Sequence, residues 1–429
     1  MRAKQGRGGI KQTGGRGRAP RFGTALMARL DALAQFTEVE GELTRRYLSP
    51  PHLEAMRRVA AWMADAGMSV RTDPLCSVFG RYEGRAANAP AIMLGSHIDT
   101  VVNAGKYDGN LGVLAAIAVV EELARTGERL AHAIEVAAFG EEEGSRFPTH
   151  ILTSSALTGA ATPALLDLKD ADGISVREAL AAAGGDAAAY RACRRKKGEI
   201  AAYLELHIEQ GPVLEDEGLA LGAVTAIQGS LRLRVTVEGF AGHAGTVPMG
   251  SRRDALAAAS EMILAVERTA LATPDLVATV GRLRPLPGIT NVIPGSVEFT
   301  IDMRSPSDAV RRKAGKALLA TLGEIARRRR VKVEAETYQE NPAVVLDAGV
   351  VDTVADAISA CGHAPKRLPS GAGHDAMIMQ NFCPSGMIFL RCKDGISHNP
   401  AESITVGDAD LGVRVLLEAA LRLDRRFAG

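Results

Sequence analysis

Residues 133–147 read Ala133-Ile134-Glu135-Val136-Ala137-Ala138-Phe139-Gly140-Glu141-Glu142-Glu143-Gly144-Ser145-Arg146-Phe147. An apolar run broken only by Glu135 passes through one glycine into three consecutive carboxylates. A short apolar run of this kind predicts a strand buried on both faces, as in sheets covered by helices. Gly140, Gly144 and the Arg146-Phe147-Pro148 that follows predict a shaped loop at its carboxyl end. In α/β sheets the loops at that end carry the reactive side chains.

Outward from this stretch the rhythm repeats. Strands are predicted at 91–95 and 201–208, with an apolar helix at 111–124 between the first two, so the fold class is α/β with a covered central sheet. His97, Glu142, Glu143 and His207 fall at or near strand ends. From about 223 to 335 the pattern changes to strand 231–238, helix 253–268, strands 276–283 and 297–304, helix 307–329 and strand 331–338, a self-contained α+β (βαββαβ) insertion. After Asn341-Pro342 the α/β rhythm resumes with a helix at 348–361, a strand at 387–392 and a last helix at 407–425. The expected division is a basic leader at 1–26, a discontinuous metal-binding domain at 27–221 and 339–429, and the insertion at 222–338.

Composition sets limits on this reading. With 429 residues, 46% of them hydrophobic and 24% charged, the chain matches a globular protein of two domains rather than a disordered or fibrous one. The longest apolar run, about ten residues near 111–120, is too short for a bilayer of about 30 Å, so no membrane partner is expected. Residues 1–21 hold Arg2, Lys4, Arg7, Lys11, Arg16, Arg18 and Arg21 and no acid. Such a leader suits an address or a nucleic-acid contact, but it lacks an apolar core and reads as a disordered or overextended start before Met27, with no nucleic-acid partner. Arg327–Arg330 reads as a solvated helix end. Five scattered cysteines without a CxxC pair fit a reducing, cytoplasmic setting.

The chemistry-bearing residues fall into six short segments. In Gly95-Ser96-His97-Ile98-Asp99 and Asp108-Gly109-Asn110, an imidazole at a strand end and a carboxylate on the next loop can meet at one metal ion, with Asp99 placed to take the second N–H of His97. The repulsion among Glu141, Glu142 and Glu143 is relieved if a dication holds some of them, leaving one free as a general base. His207 in Leu204–Pro212 and His398 in Ile396–Glu402 complete the set. His97, Asp108, Glu143, His207 and His398 would give two divalent ions two ligands each plus a bridging Asp108. Imidazole and carboxylate without thiolate suits Zn²⁺, Mn²⁺, Co²⁺ or Ni²⁺. In Gly371-Ala372-Gly373-His374-Asp375, backbone N–H groups can cradle an anion.

These segments, together with GHAGTVPM at 242–249 and DMRSP at 302–306, resemble in composition and order the co-catalytic metallopeptidase-like amidohydrolases, in the branch of allantoate amidohydrolase, N-carbamoyl-L-amino-acid hydrolase and β-ureidopropionase. The resemblance covers about residues 27–425. It implies Glu142, immediately before the metal-binding Glu143, as catalytic base. It also implies that the insertion is a lid and dimerisation domain of a homodimer, from which His243 reaches the partner subunit's site. Asn291 and Arg304 match substrate-contacting positions, with Arg304 as a carboxylate clamp, and Gln210 is placed to bond a ureido group. The implied reaction is metal-dependent hydrolysis of a small ureido substrate, with allantoate favoured and an N-carbamoyl-L-amino acid as rival. A dipeptidase and a catalytically inactive binding protein on the same scaffold are the remaining readings.

Overall fold

The computed structural model describes residues 21–428. They form a nine-stranded mixed sheet, a four-stranded antiparallel sheet and a two-stranded pair. At the centre of the large sheet Ala91–His97 lies parallel to Ala133–Phe139 on one side and to Ile200–Ile208 on the other, and Ser385–Leu390 continues the parallel set. Both Ala91–His97 and Ala133–Phe139 are buried along their whole length, as continuous apolar runs require. Antiparallel strands Val78–Tyr82 and Ser69–Thr72 extend one edge. Leu221–Ile227, Lys366–Ser370 and Val344–Val345 form the other.

The helix Asn110–Thr126 packs on this sheet with every residue from 110 to 120 buried. Each such Leu, Val or Ile contributes roughly 1.5–3 kcal/mol by leaving water. The helix ends where Gly127 adopts left-handed φ/ψ and its N–H bonds back to the last turn. Beside it runs the final helix, Val406–Ala428.

The second sheet orders Lys332–Asn341, Gly229–Glu238, Ser296–Ser305 and Val277–Leu286, all antiparallel. Along Ser296–Ser305 burial alternates strictly, so Val297, Phe299, Ile301 and Met303 share one face. Helices Ala255–Leu271 and Asp308–Arg329 cover that face to make a separate core. Side chains of Asp254 and Ser307 cap their first turns. The βαββαβ order is the one expected, with the small pair Gly242–His243 and Val292–Ile293 added to it.

Two expectations about how the chain divides need correction. Leu221–Ile227 pairs with strands of the large sheet, whereas the second sheet starts at Gly229 and persists to Asn341. The sheets therefore change over near 228 and 342, not at 221/222 and 338/339, because two apolar strands follow one another with only Gln228 between them. Entry and exit stay paired through the change, Ile227 with Val344 and Ser230 with Asn341. Asp308 ties this ribbon to the helix by accepting from the Ala343 N–H at 2.9 Å and from the fully buried Arg311 at 2.6 Å. The second correction concerns the leader. Residues 1–20 lie outside the described residues, but Gly23–Ala34 is a helix, with Leu26 buried and Asp410 accepting from the N–H groups of Phe22 and Gly23. Order thus begins before Met27. Among the described residues no helix is long and apolar enough to cross a membrane.

Candidate active site

The carboxyl ends of the parallel strands converge. His97 is the last residue of its strand, His207 the penultimate residue of its own, and Glu142 and Glu143 sit just past Ala133–Phe139. The His207 Nδ1 lies 2.8 Å from the Ile208 carbonyl and the His97 Nδ1 lies 3.1 Å from that of Asp99. A carbonyl can only accept, so each Nδ1 carries its proton and each neutral ring presents a lone pair at Nε2. Those lone pairs face the same oxygen: Asp108 Oδ1 is 3.1 Å from His207 Nε2 and 3.4 Å from His97 Nε2. Facing acceptors repel unless a cation or protons lie between them. Gly109, at φ +64°, keeps the cluster compact, since a Cβ there would fall 2.4 Å from the His97 ring.

A second trio adjoins the first. His398 Nε2 is 3.3 Å from Asp108 Oδ2 and 3.5 Å from Glu143 Oε2, while Glu143 Oε1 is buried without a partner. Asp108 therefore presents one oxygen to each trio, and two three-residue groups, His97-Asp108-His207 and Asp108-Glu143-His398, are compact enough to hold an ion each. Burial, reinforced by Asp108, pushes the Glu143 carboxyl up to about 7. The Asp108 bond raises His398 to about 9. Both groups thus hold protons more tightly than usual when protons alone fill the site. The residues present fit divalent ions.

Asp99 is fully buried, and besides facing His97 it accepts from the backbone N–H groups of Glu142 at 3.3 Å and Glu143 at 3.2 Å. The expected contact changes: the His97 N–H faces the main-chain carbonyl of Asp99 at 3.1 Å, while the Asp99 carboxylate stands 3.6 Å away and instead fixes the loop of Glu142 and Glu143. Glu141 and Glu142 part ways here. Glu141 turns into the loop to accept from the Phe147 N–H at 2.9 Å, whereas Glu142 lines the cavity with Oε2 3.9 Å from His97 Nε2.

Sequence reasoning missed the next layer outward. Glu402 accepts from the N–H groups of Tyr107 and Asp108 and from Ser397 Oγ, and so sets the loop that carries Asp108. Glu205 stands behind His207, its oxygens taken by Ser96, Tyr203 and the Ala376 N–H. Arg45 is wholly buried, spanning the carbonyls of Ile98, Leu33 and Phe36 and the side chain of Asn110. Glu402 stands in the SHNPAE segment, where an acid next to metal ligands was a usable signal. Glu205 and Arg45 gave none, since their partners are distant in sequence.

A cavity of about 770 Å³ opens on the cluster. His97, Asp108, Glu142, Glu143, His207 and His398 line it, together with Gln228 and with Arg232, Arg304, Gln339 and Asn341 of the second sheet. Gln210 also lines it, but its Nε2 donates to Asp108 Oδ2 at 2.7 Å rather than standing free. Gly371, Gly373 and His374 line it; the His374 ring is buried edge-on against His207 at 4.5 Å, and burial first, then His207, holds it well below the usual range. The expectation for Arg304 as an open clamp changes. Two residues apart on one strand face, Arg304 and Asp302 close a fork at 3.0 Å per arm, and Nη1 donates to the Gly371 carbonyl at 2.8 Å. His243 and Asn291 do not line this cavity; His243 is exposed on the two-stranded pair and Asn291 immediately precedes its second strand, its carbonyl accepting from the Ala244 N–H.

Residues 93–422, which hold all of these side chains except Arg45, match the description peptidase family M20/M25/M40. The chain belongs to that family. It is 40% identical over 402 residues to an N-carbamoyl-L-amino acid amidohydrolase of Geobacillus stearothermophilus, covering 94% of this chain and 98% of that one. To an allantoate deiminase of Arabidopsis thaliana it is 37% identical over 430 residues, covering 92% and 82%. A hydantoinase/carbamoylase family amidase of Burkholderia multivorans superposes with a TM-score of 0.88 at 35% identity, covering 94% and 97%. The resemblance drawn from motifs therefore holds at the level of family and fold, and this member is a hydrolase of carbon–nitrogen bonds.

Proposed function

We propose that the chain hydrolyses the ureido C–N bond of allantoate, giving ureidoglycine, ammonia and CO₂. The observation that carries the choice is the part of the cavity lining that comes from the second sheet. There Arg232 and Arg304 share the single carboxylate of Asp302, leaving net positive charge for a substrate carboxylate. Around them Gln228, Gln339 and Asn341 supply amide groups for a second ureido arm, and Gln228 Oε1 is buried without a partner. An N-carbamoyl-L-amino acid offers the same carboxylate and one ureido group, with its side chain directed at Met377, Ile378 and Ile151 on the same cavity.

His97, Asp108 and His207 would hold one divalent ion, and Asp108, Glu143 and His398 a second, Mn²⁺ or Zn²⁺ being the expected metals. Ions bound there supply Lewis-acid polarisation. Glu142 takes a proton from the attacking water and returns it to the leaving nitrogen as the C–N bond breaks. The carbamate released then falls to ammonia and CO₂. The second sheet and its helices act as lid and dimer contact. In that arrangement His243 and Asn291 serve the site of a second copy, which agrees with their position away from the cavity of their own chain.

The test is ammonia release by the metal-loaded protein from allantoate, N-carbamoyl-L-amino acids, N-carbamoyl-β-alanine and dipeptides in parallel. Fastest turnover of allantoate is expected. Preference for a carbamoyl amino acid with an apolar side chain would keep the chemistry and replace the substrate.

A further inference from the structure

Behind the candidate active site lies a second cavity of about 660 Å³ whose chemistry differs from the first. The segment Arg191-Ala192-Cys193-Arg194-Arg195-Lys196-Lys197 places five cations in seven residues, and all five line it. Only Arg195 is neutralised: it bonds Glu135 at 2.6 Å and Glu199 at 2.7 Å. Glu135 is already shared with Arg71 and Arg81. Among the described residues, Arg191, Arg194, Lys196 and Lys197 have no carboxylate within salt-bridge distance. Ordinary surface cations are interspersed with acids; here like charges ring a concavity and repel one another until an anion enters.

The remaining lining suits an organic anion. Phe382 and Ile378 give an apolar floor, and Thr158 and Asn381 add a hydroxyl and an amide. Arg194 lies along the backbone of Gly159, whose φ of +85° favours glycine and leaves room for the arginine stem. Guanidinium groups pair with phosphate oxygens two at a time, and an aromatic floor accepts a ring.

We propose that this cavity binds a phosphate-bearing organic polyanion of nucleotide size, its phosphates among Arg191, Arg194, Lys196 and Lys197 and its ring on Phe382. Occupancy reaches the candidate active site through a shared wall. Ile378 and Asn381 line both cavities, and the helix Leu152–Thr158 places Ser155 in one and Thr158 in the other. The same wall is pinned to the site by Ser154 on Asp375 at 2.5 Å and by the Ala376 N–H on Glu205 at 3.1 Å. Ligand and substrate then alter each other's affinity by equal factors. This coupling rests on assigning catalysis to the first cavity; the binding itself does not.

Titration calorimetry of the full chain with pyrophosphate and with ATP, at low and high salt, tests the binding. Expected is saturable binding near one per chain, tighter for ATP, weaker in salt, and lowered at least about tenfold by R194E/K196E/K197E and measurably by the milder K196Q/K197Q. The advantage of ATP over pyrophosphate should vanish in Phe382→Ala. No saturable binding at millimolar ligand, binding indifferent to both charge variants, or binding of an oligonucleotide alone would overturn the site. If ATP binds yet leaves KM and kcat of the preferred ureido substrate unchanged, the coupling is refuted.

Discussion

Replacing Arg45 by Met tests whether the buried guanidinium organises the loops around the cluster. Its Nε donates to the Ile98 carbonyl at 2.8 Å, Nη1 to Leu33 at 2.8 Å and Phe36 at 3.2 Å, and Nη2 to Asn110 Oδ1 at 2.6 Å. Two of these carbonyls end the helix Gly23–Ala34, and Asn110 begins the helix that follows Asp108. Hydrogen bonds from a charged donor contribute about 1.5 kcal/mol each at the low end, so four amount to roughly 6 kcal/mol. Removing a charge that burial already penalises, enough to bring its pKa down to about 10, returns something on the order of 2 kcal/mol. The expected net loss is about 4 kcal/mol, or a fall of roughly 10 °C in Tm at about 2–4 °C per kcal/mol. Arg45→Lys should recover little, because an ammonium cannot span carbonyls on both sides. Urea titration followed by circular dichroism measures the change. A loss below about 1 kcal/mol for Arg45→Met would refute the bracing role.

Glu142→Gln should keep the fold and bound metal, measured by elemental analysis, and lose about 10²–10⁴ of turnover; an active variant sinks the assignment of the base. Mixing inactive Glu142→Gln with inactive His243→Ala should restore about a quarter of wild-type activity, because half the dimers are mixed and each holds one complete site. No recovery after verified subunit exchange would place His243 in its own chain's site. His52 is fully buried with neither ring nitrogen bonded, and burial first, then Arg45 and Arg146, hold it down to about 3. The unfolded chain therefore takes up a proton below about 6.5 that the folded chain refuses until about 3, so stability is full above that window and falls as pH drops through it, by about 1.4 kcal/mol per unit from this group. His52→Phe should flatten that slope in urea titrations between pH 6 and 4 by about that amount, and an unchanged slope would exclude His52 as its source.

The parts legible in the sequence were those where one pattern changes abruptly into another. An apolar strand ending in acids or in a histidine announces both a sheet and its reactive end, and His97, Glu142, Glu143 and His207 were found that way. Asp108 was read from its position on the loop after the His97 strand, and His398 only as a histidine that completes the set. What stayed hidden was pairing across the fold. Glu205 reads as a polar interruption of an apolar strand until Ser96 and Ala376 are seen to donate to it. The change of sheet at Gln228 left no turn signal because the chain passes from one ladder to the next without bending away.

That uninterrupted ribbon has a genealogical consequence. Where Ile227 meets Val344 and Ser230 meets Asn341, the inserted stretch leaves and rejoins its host at almost the same place. A host with such neighbouring ends needs only a tight hairpin turn to close the gap, and loop closure between ends already in contact is cheap in entropy. The large sheet can thus have existed first with a simple hairpin at this edge, and the second sheet can have been acquired in a single splice without moving one strand of the first.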